Sequence, residues 1–465
     1  MHTDEAINAY ITGDLLAGKP YQYDPRDRHG PALYAIALPV AKLAGVKDFS
    51  GLTEASVRLG PALVGAFSVL LFGLLVEAFG AATTIGAALL FAISPITVYY
   101  SRDFIHETLF VAATLWTIAF AFRVLKENRV GSAIALGAGA GLMLACKETA
   151  AIHFAAFGVA ALWWIVKISA AKLMHMDFGQ MAKLVIAALV SFLIVIIVLF
   201  TWGGTRWQGL LDLGNAIPHL TSRASGEGHQ KPAWYYVVLL GGNWPGGVVL
   251  LFAALGAWGV RWKKFEDKTF PALVTYTVVV SLLYSVIPYK TPWLALNMWL
   301  PLALLAGKGF GRFWQSVRNK LGQGCAVAIA VACVVGFGCQ TWKRVFLAPA
   351  DERNPYAYSQ TSDNFLDLPK RIRQLAAKSP AGNNIPIAVV ATDPWPTPWY
   401  LRKFPNVGFW QPDQKIAPAD IYITSAEAAG MSEAPWEKWR PDFFGVRPEV
   451  LMLLWTRPES DTPHE

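Results

Sequence analysis

Acidic and basic side chains fall in a few short segments of an otherwise apolar chain. A carboxylate can accept a proton from an attacking hydroxyl group or hold a metal, and a Lys or Arg can neutralise a departing phosphate. This set of groups suits a reaction in which an acceptor attacks an anionic lipid-phosphate donor. The candidate acids are Asp4, Glu5, Asp103 and Glu107, the candidate cations are Arg58, Arg102, Lys147 and Lys290, and the further candidates are Asp24, His29 and Glu148.

Each candidate segment also has a plain structural explanation. Acids favour the first turn of a helix, where Asp4 and Glu5 are predicted to lie. Charges at the mouth of a helix, such as Arg102, commonly anchor it at the membrane interface. Lys147 and Glu148 could form a salt-bridged loop. The argument for chemistry therefore depends on whether these segments share one face of a membrane.

Composition indicates that the chain spans a membrane. Of its 465 residues, 54% are hydrophobic and only 15% are charged, whereas soluble domains have about 25% charged residues. A hydrocarbon core needs roughly 20 apolar residues in a helix. Ten segments approach that length, and we predict that they are spanning helices: 58–78, 82–100, 104–122, 132–146, 150–166, 184–202, 234–258, 270–287, 293–306 and 325–342.

The positions of Lys and Arg predict the orientation of these helices. Basic loops face the cytoplasm, and every second loop is basic: Arg123, Lys126 and Arg129; Lys167, Lys172 and Lys183; Arg261, Lys263, Lys264 and Lys268; and Lys308, Arg312, Arg318 and Lys320. The intervening loops carry the candidate residues, so these are predicted to lie outside the cytoplasm. The start of the chain is predicted to lie there too, and we expect a further helix before Met1 to translocate it.

Two domains are predicted. Residues 1–345 form an all-α polytopic membrane domain whose external loop, 1–56, contains the Asp-Glu pair and two amphipathic helices at the membrane surface, the first with Thr3 as its N-cap. Residues 346–465 form a small extracytoplasmic α/β domain, in which a helix over 365–377 precedes strands at 387–391, 420–424 and 450–455. The Pro/Trp-rich segment 393–400 follows a strand and either stacks exposed Trp rings on sugars or docks the domain on the membrane part.

The order of these motifs resembles a known superfamily. Asp-Glu, Tyr-Asp-Pro with His-Gly-Pro, Tyr-Ser-Arg with Glu, Lys-Glu, and Lys-Thr-Pro-Trp follow one another along the chain. This order is similar to that of the polyprenyl-phosphate-dependent, GT-C-fold glycosyltransferases near the protein O-mannosyltransferases and aminoarabinose transferases. The flippase-activity-associated subfamily is most similar, on 2–6, 99–102 and 354–356. The likeness covers essentially the whole chain.

The resemblance implies a function and roles for the candidates. Asp4 takes the place of the catalytic base or metal ligand, with Glu5 beside it, and Glu107 or else Asp103 is the assisting acid. The four candidate cations bind the phosphate of a polyprenyl-phosphate sugar donor. The acceptor is a lipid, glycan or protein, and any divalent metal would be held by Asp4 and Glu107.

Two other classes of function stay open. A lipid-linked sugar flippase, or an accessory protein of one, would carry ionisable residues near the bilayer midplane, whereas the acids here cluster at one predicted face. A scaffold that binds partners through its C-terminal domain would not need the acids. We expect an integral protein of the cytoplasmic membrane that contacts lipids and no nucleic acid.

Overall fold

The computed structural model describes residues 1–26, 28–166, 177–225, 228–258, 269–431 and 434–457, so two of the predicted basic loops, around Lys172 and Lys264, lie largely outside the described residues. The chain divides into two compact units. The helical unit consists of Pro20–Val40 and Arg58–Leu347, and the sheet unit consists of Met1–Lys19, Ala41–Val57 and Ala348–Glu465. The division near residue 347 lies close to the predicted one. The structure differs in grouping the Asp-Glu pair with the C-terminal residues.

The helical unit contains helices long and apolar enough to cross a membrane. Among the described residues six qualify, and up to eight if each of two bent pairs is one span. The six are Glu54–Phe79, Glu107–Glu127, Phe178–Phe200, Thr269–Val286, Pro292–Ser316 and Lys320–Leu347. The bent pairs are Ala81–Ile93 with Pro95–Ser101, bent by 60°, and Tyr235–Gly241 with Trp244–Trp258, bent by 110°.

The two remaining predicted spans are short apolar helices. Val130–Cys146 and Ala150–Val166 have 17 residues each, about 26 Å of helix against a hydrocarbon core of about 30 Å. Val130–Cys146 packs between two longer helices, Glu107–Glu127 and Phe178–Phe200. A Cβ on Gly137 would lie 2.0 Å from the Ala188 carbonyl oxygen. Small residues therefore let these helix backbones approach closely.

Shorter helices connect these spans and extend into the sheet unit. Thr3–Leu16 and Ala32–Leu43 correspond to the two predicted amphipathic helices. Gln208–Gly214 and Ala216–Ala224 lie in the long loop before Tyr235–Gly241. The N-cap of Thr3–Leu16 is His2, so the prediction that Thr3 is the cap is wrong by one residue.

The sheet unit contains five strands in the order β2-β1-β3-β5-β4. They are β1 Ile387–Val390, β2 Val407–Trp410, β3 Ile421–Ser425, β4 Arg440–Arg447 and β5 Val450–Thr456. β1 is parallel to β2 and β3, and β5 is antiparallel to β3 and β4. Helix Asp367–Lys378 packs on one face, where Leu368 and Ile372 meet Val389, while Trp436 covers the other. The predicted α/β domain is confirmed, with β2 and β4 added.

Candidate active site

A buried ion pair joins the start of one helix to the end of another in the helical unit. Glu107 opens Glu107–Glu127 and is 1% exposed, and Lys147 follows Val130–Cys146 and is 5% exposed. The Lys147 Nζ donates to Glu107 Oε2 at 2.8 Å, while Asn297 Nδ2 donates to Oε1 at 2.8 Å. Both carboxylate oxygens of Glu107 thus have partners. Removing either charge would leave the other buried and uncompensated, which costs several kcal/mol.

Next to this pair, Glu148 links two chain segments. Its Oε2 lies 2.9 Å from His29 Nδ1, and its Oε1 accepts from the Tyr23 hydroxyl at 2.5 Å. Burial would raise the pKa of the Glu148 carboxyl, but the charge of His29 and the hydrogen bonds from His29 and Tyr23 lower this pKa to about 2. Glu148 is therefore a carboxylate at neutral pH, and it holds Tyr23 and His29 close to residue 148.

Gly30 and His106 tie the same loops together. The His106 Nε2 lies 2.9 Å from the Gly30 carbonyl oxygen, so this nitrogen carries the proton. The Gly30 N–H donates to the Cys146 carbonyl at 3.2 Å. A Cβ on residue 30 would lie 2.2 Å from the Ala145 carbonyl oxygen, which explains why a glycine is required in the His-Gly-Pro motif.

Acidification should destabilise the helical unit through His106. Burial lowers the pKa of His106 from 6.5 to about 3, so the unfolded chain binds an extra proton between those values. Stability is then fully present above pH 6.5 and declines as the pH falls towards 3. Between about pH 7 and about pH 5 the loss should be about 2 kcal/mol.

Thermal unfolding of the purified protein at these two pH values measures this loss. His106→Gln keeps a donor for the Gly30 carbonyl and should reduce the difference by about 2 kcal/mol. Burial also lowers the pKa of His2 in the sheet unit, so part of the pH dependence should remain in the variant. Glu148 does not interfere, because its depressed pKa removes stability only below its ordinary value of 4.5. An equal pH dependence in the variant would assign the effect to other groups.

Lys290 is a buried cation with a single described hydrogen bond from its side chain. It is 1% exposed, and its Nζ donates to the Ile287 carbonyl oxygen at 2.5 Å. Burial lowers its pKa. The backbone N–H of Lys290 donates to the His229 carbonyl at 3.0 Å, and Gln230 bridges to Tyr289. The turn that carries Lys290 is thereby paired with the end of the long loop before Tyr235–Gly241.

The other candidates of the helical unit occupy varied environments. Arg102 donates to the Val345 carbonyl at 2.7 Å and lies over the Phe346 ring at 4.7 Å. Arg58 is half-buried and Asp103 is buried. Asp24 accepts from the Arg26 backbone N–H at 2.9 Å, which makes it a turn-stabilising residue. The structure therefore brings together Glu107, Lys147, Glu148 and His29, and gives Arg102 and Asp24 backbone hydrogen-bond partners.

In the sheet unit, the two adjacent acids of the Asp-Glu pair differ in exposure. Glu5 is 0% exposed and its Oε2 accepts from the His2 backbone N–H at 2.8 Å. His2 Nδ1 in turn accepts from the Asp4 backbone N–H at 2.9 Å, which completes a capping box. The Asp4 side chain is 50% exposed. Glu5 thus caps the helix, and Asp4 presents its carboxylate to the surroundings.

Known proteins share this architecture. A family model described as dolichyl-phosphate-mannose-protein mannosyltransferase matches residues 29–202. ArnT from Cupriavidus metallidurans, in a crystal structure bound to undecaprenyl phosphate, is similar with a TM-score of 0.63 at 14% identity over 97% of this chain and 93% of ArnT. This chain has the GT-C fold. AglB from Archaeoglobus fulgidus, an archaeal oligosaccharyltransferase in complex with an inhibitory peptide and a dolichol-phosphate, is similar with a TM-score of 0.56 at 12% identity over 100% of this chain and 71% of AglB.

These findings support a membrane glycosyltransferase as the general class of this GT-C protein. No curated protein matches its sequence. The placement near the flippase-activity-associated subfamily stays a prediction, as does the side of the membrane on which the sheet unit lies.

Sequence reasoning missed two members of the buried cluster in this GT-C protein. His106 precedes Glu107 directly, and Asn297 is a polar residue inside an apolar run. An amide within a spanning segment must find a hydrogen-bond partner, so Asn297 carried a usable signal. Of the two alternatives for the Pro/Trp-rich segment 393–400, stacking of an exposed ring on a sugar does not apply to Trp399, which is 1% exposed. Trp399 packs against Phe49 and under the Arg402 guanidinium.

A metal site in this GT-C protein stays a prediction. In the part of the chain that the structure describes, no group of three or more His, Cys, Asp or Glu side chains is placed to hold a metal ion. Glu107 would have to exchange Lys147 or Asn297 for the metal, since both of its oxygens have partners.

Proposed function

We propose that this GT-C protein transfers a sugar from a polyprenyl-phosphate donor to an acceptor outside the cytoplasm. The match to a mannosyltransferase family model supports sugar transfer. The lipid phosphates bound in the ArnT and AglB structures support the class of donor. The sugar could be a hexose or a pentose, and the acceptor could be a lipid, a glycan or a protein.

The observation that carries this proposal within the chain is the burial of Lys290. A buried ammonium group is costly unless an anion or several acceptors compensate it. Among the described residues no carboxylate pairs with Lys290, whose Nζ donates to one carbonyl oxygen. Lys147, by contrast, is already paired with Glu107. A donor phosphate would supply the missing charge at Lys290, which makes this lysine the preferred phosphate ligand of the four candidate cations.

The chemistry is a single displacement at the anomeric carbon. The oxygen of the acceptor hydroxyl forms the new bond to that carbon as the bond to the phosphate oxygen breaks, with inversion of configuration. The bonding electron pair leaves with the lipid phosphate, whose charge Lys290 stabilises. The resemblance implies that the proton of the hydroxyl passes to Asp4, the exposed member of the Asp-Glu pair. Glu107 assists by fixing Lys147 and Asn297.

Replacing Lys290 by Met should weaken donor binding about 10- to 100-fold, because a hydrogen bond to a charged group contributes about 1.5–3 kcal/mol. Proteoliposomes are incubated with a radiolabelled polyprenyl-phosphate sugar and a mixture of acceptors, and label on non-lipid and lipid acceptors is measured against donor concentration. The KM for the donor should rise while the protein stays folded. Lys320→Met is the matched control, because Lys320 opens a helix in a loop predicted to be cytoplasmic.

An unchanged donor KM in Lys290→Met would remove this lysine from the site. The same proteoliposomes also distinguish the transferase from a flippase. A flippase would move intact labelled lipid between leaflets, and no label would reach an acceptor. That result would replace the proposed function.

A further inference from the structure

Two adjoining cavities lie in the helical unit around the C-terminal half of Glu107–Glu127. One has a volume of about 490 Å³. Its lining is almost wholly apolar and comes from five helices, with Ala140, Phe157 and Ile165 among the lining residues. The other has a volume of about 330 Å³ and is lined partly by polar side chains. They share four lining residues: Phe122, Leu125, Trp164 and Ala272. A molecule with an apolar chain and a polar head could therefore occupy both.

The polar cavity is lined by two cations and one acid. Arg123 Nε is buried and has no hydrogen-bond partner among the described residues, although the guanidinium lies 5.5 Å from the Phe120 ring. An unpartnered donor on a charged group is costly, and an anion would relieve that cost. Lys126 Nζ lies 3.2 Å from Glu77 Oε2, with side chains 61% and 56% exposed. Such an exposed pair is weak, so Lys126 can exchange its partner.

The apolar cavity reaches the outer surface of the unit. Two of its lining residues, Leu125 and Ile165, are 52% and 50% exposed. In a chain that spans a membrane, such surface meets lipid chains rather than water. The apolar cavity lies close to the two cations, because its lining residue Leu125 lies between Arg123 and Lys126 on one helix. One lipid can therefore place its acyl chain in this cavity and its phosphate at the cations.

We propose that these cavities bind one anionic glycerophospholipid. Its phosphate lies at Arg123 and Lys126, and one acyl chain fills the apolar cavity. Arg123 follows Glu107 by sixteen residues, about 24 Å along the helix at roughly 1.5 Å per residue. The site is therefore at the other end of the helix from the Glu107–Lys147 pair, on the face that the charge pattern predicts as cytoplasmic. The site is separate from the donor phosphate, and only the choice of a glycerophospholipid over the sugar donor rests on the proposed function.

The charge pattern favours a glycerophospholipid over the sugar donor as the occupant. The donor phosphate is expected among the cations at the opposite end of the helix, near Lys290. Anionic glycerophospholipids are the abundant anions of the cytoplasmic leaflet, and basic residues there attract them with about 1 kcal/mol each. A bound lipid would stabilise the folded unit by mass action, since the unfolded chain has no such cavity.

Native mass spectrometry of the full chain in detergent tests this site. Phosphatidylglycerol and phosphatidylcholine with identical acyl chains are titrated separately. Phosphatidylglycerol should bind more tightly, and Arg123→Gln should weaken it about five-fold while leaving phosphatidylcholine unchanged. Glu77→Gln should tighten phosphatidylglycerol binding, because Lys126 loses its competing carboxylate. Arg129→Gln is the matched control, since Arg129 is exposed and lies outside both cavities.

Ala272→Phe tests the shared wall of the two cavities. The larger side chain should reduce binding of phosphatidylglycerol even though both cations remain. Equal binding of the two lipids, or equal losses in Arg123→Gln and Arg129→Gln, would overturn the proposal. A polyprenyl phosphate that displaces phosphatidylglycerol and loses affinity in Arg123→Gln would overturn the choice of occupant. Thermal midpoints without added lipid show whether each variant has folded.

Discussion

Glu107→Gln should destabilise the helical unit by about 3–5 kcal/mol, because it leaves the buried Lys147 ammonium without its carboxylate. The two groups are 1% and 5% exposed and 2.8 Å apart. The amide oxygen of the new side chain can still accept from Asn297, but its NH2 group cannot accept from Lys147, so the charge and that hydrogen bond are lost together. The apparent thermal midpoint of the purified protein, followed by intrinsic fluorescence, measures it. A midpoint equal to that of the natural sequence would contradict the buried pair.

A double variant separates the structural role of this pair from its role in transfer. In Glu107→Gln with Lys147→Gln, the two amides can hydrogen-bond to each other, and no charge is left buried. Most of the lost stability should return, and the sum of the two single losses should exceed the loss in the double variant. Transfer activity should stay low in the double variant, because the assisting carboxylate is absent. Full activity there would leave the pair with a structural role only.

The positions of the spanning helices could be predicted because the thickness of a membrane sets a length that the sequence must meet. The breaks within them were harder to predict. Segment 82–100 reads as one apolar run, but the helix bends by 60° between Ile93 and Pro95. Pro95 has no N–H to donate and disfavours helical backbone at Ser94, which is extended at φ −64° and ψ 133°. The proline was visible in the sequence, so this break could have been inferred.

Three of the five strands of the sheet could be predicted from their local sequence. β1, β3 and β5 are buried and read as apolar runs, so their sequences identify them. β4 contains Pro441, Asp442 and Gly445, which all disfavour a strand, and only two of its eight residues are buried. It is held at the edge by its pairing with β5. The sequence of β4 alone does not indicate that it pairs with β5.

The candidate site was predicted as a set of residue types rather than as a set of contacts. Charge in the intervening loops placed Glu107 and Lys147 at one membrane face, but it could not pair them. They are 40 positions apart, and Asn297 is 190 positions from Glu107. Only helix packing determines which side chains meet. The capping role of Glu5 could have been predicted from the sequence, because an acid three residues after the N-cap is a local pattern.

Asp4→Asn should abolish sugar transfer while leaving the fold intact. A general base contributes about 10²- to 10⁴-fold to a rate, and the Asp4 side chain is 50% exposed. The amide keeps the shape of the side chain, and the backbone N–H of residue 4 still donates to His2. The rate of label transfer in proteoliposomes at saturating donor should therefore fall by about that factor, with an unchanged thermal midpoint.

Glu5→Ala should have the opposite profile, and the comparison decides between the two acids. Loss of the Glu5 carboxylate leaves the His2 backbone N–H without its acceptor. This should lower the free energy of unfolding by about 1–2 kcal/mol. Transfer should persist at temperatures where the variant stays folded. Asp14→Asn is the matched control on the same helix, because the Asp14 side chain binds only the exposed Lys19 in the described hydrogen bonds. An active Asp4→Asn protein would exclude Asp4 as the base. Inactive but folded Glu5→Ala would move that role to Glu5.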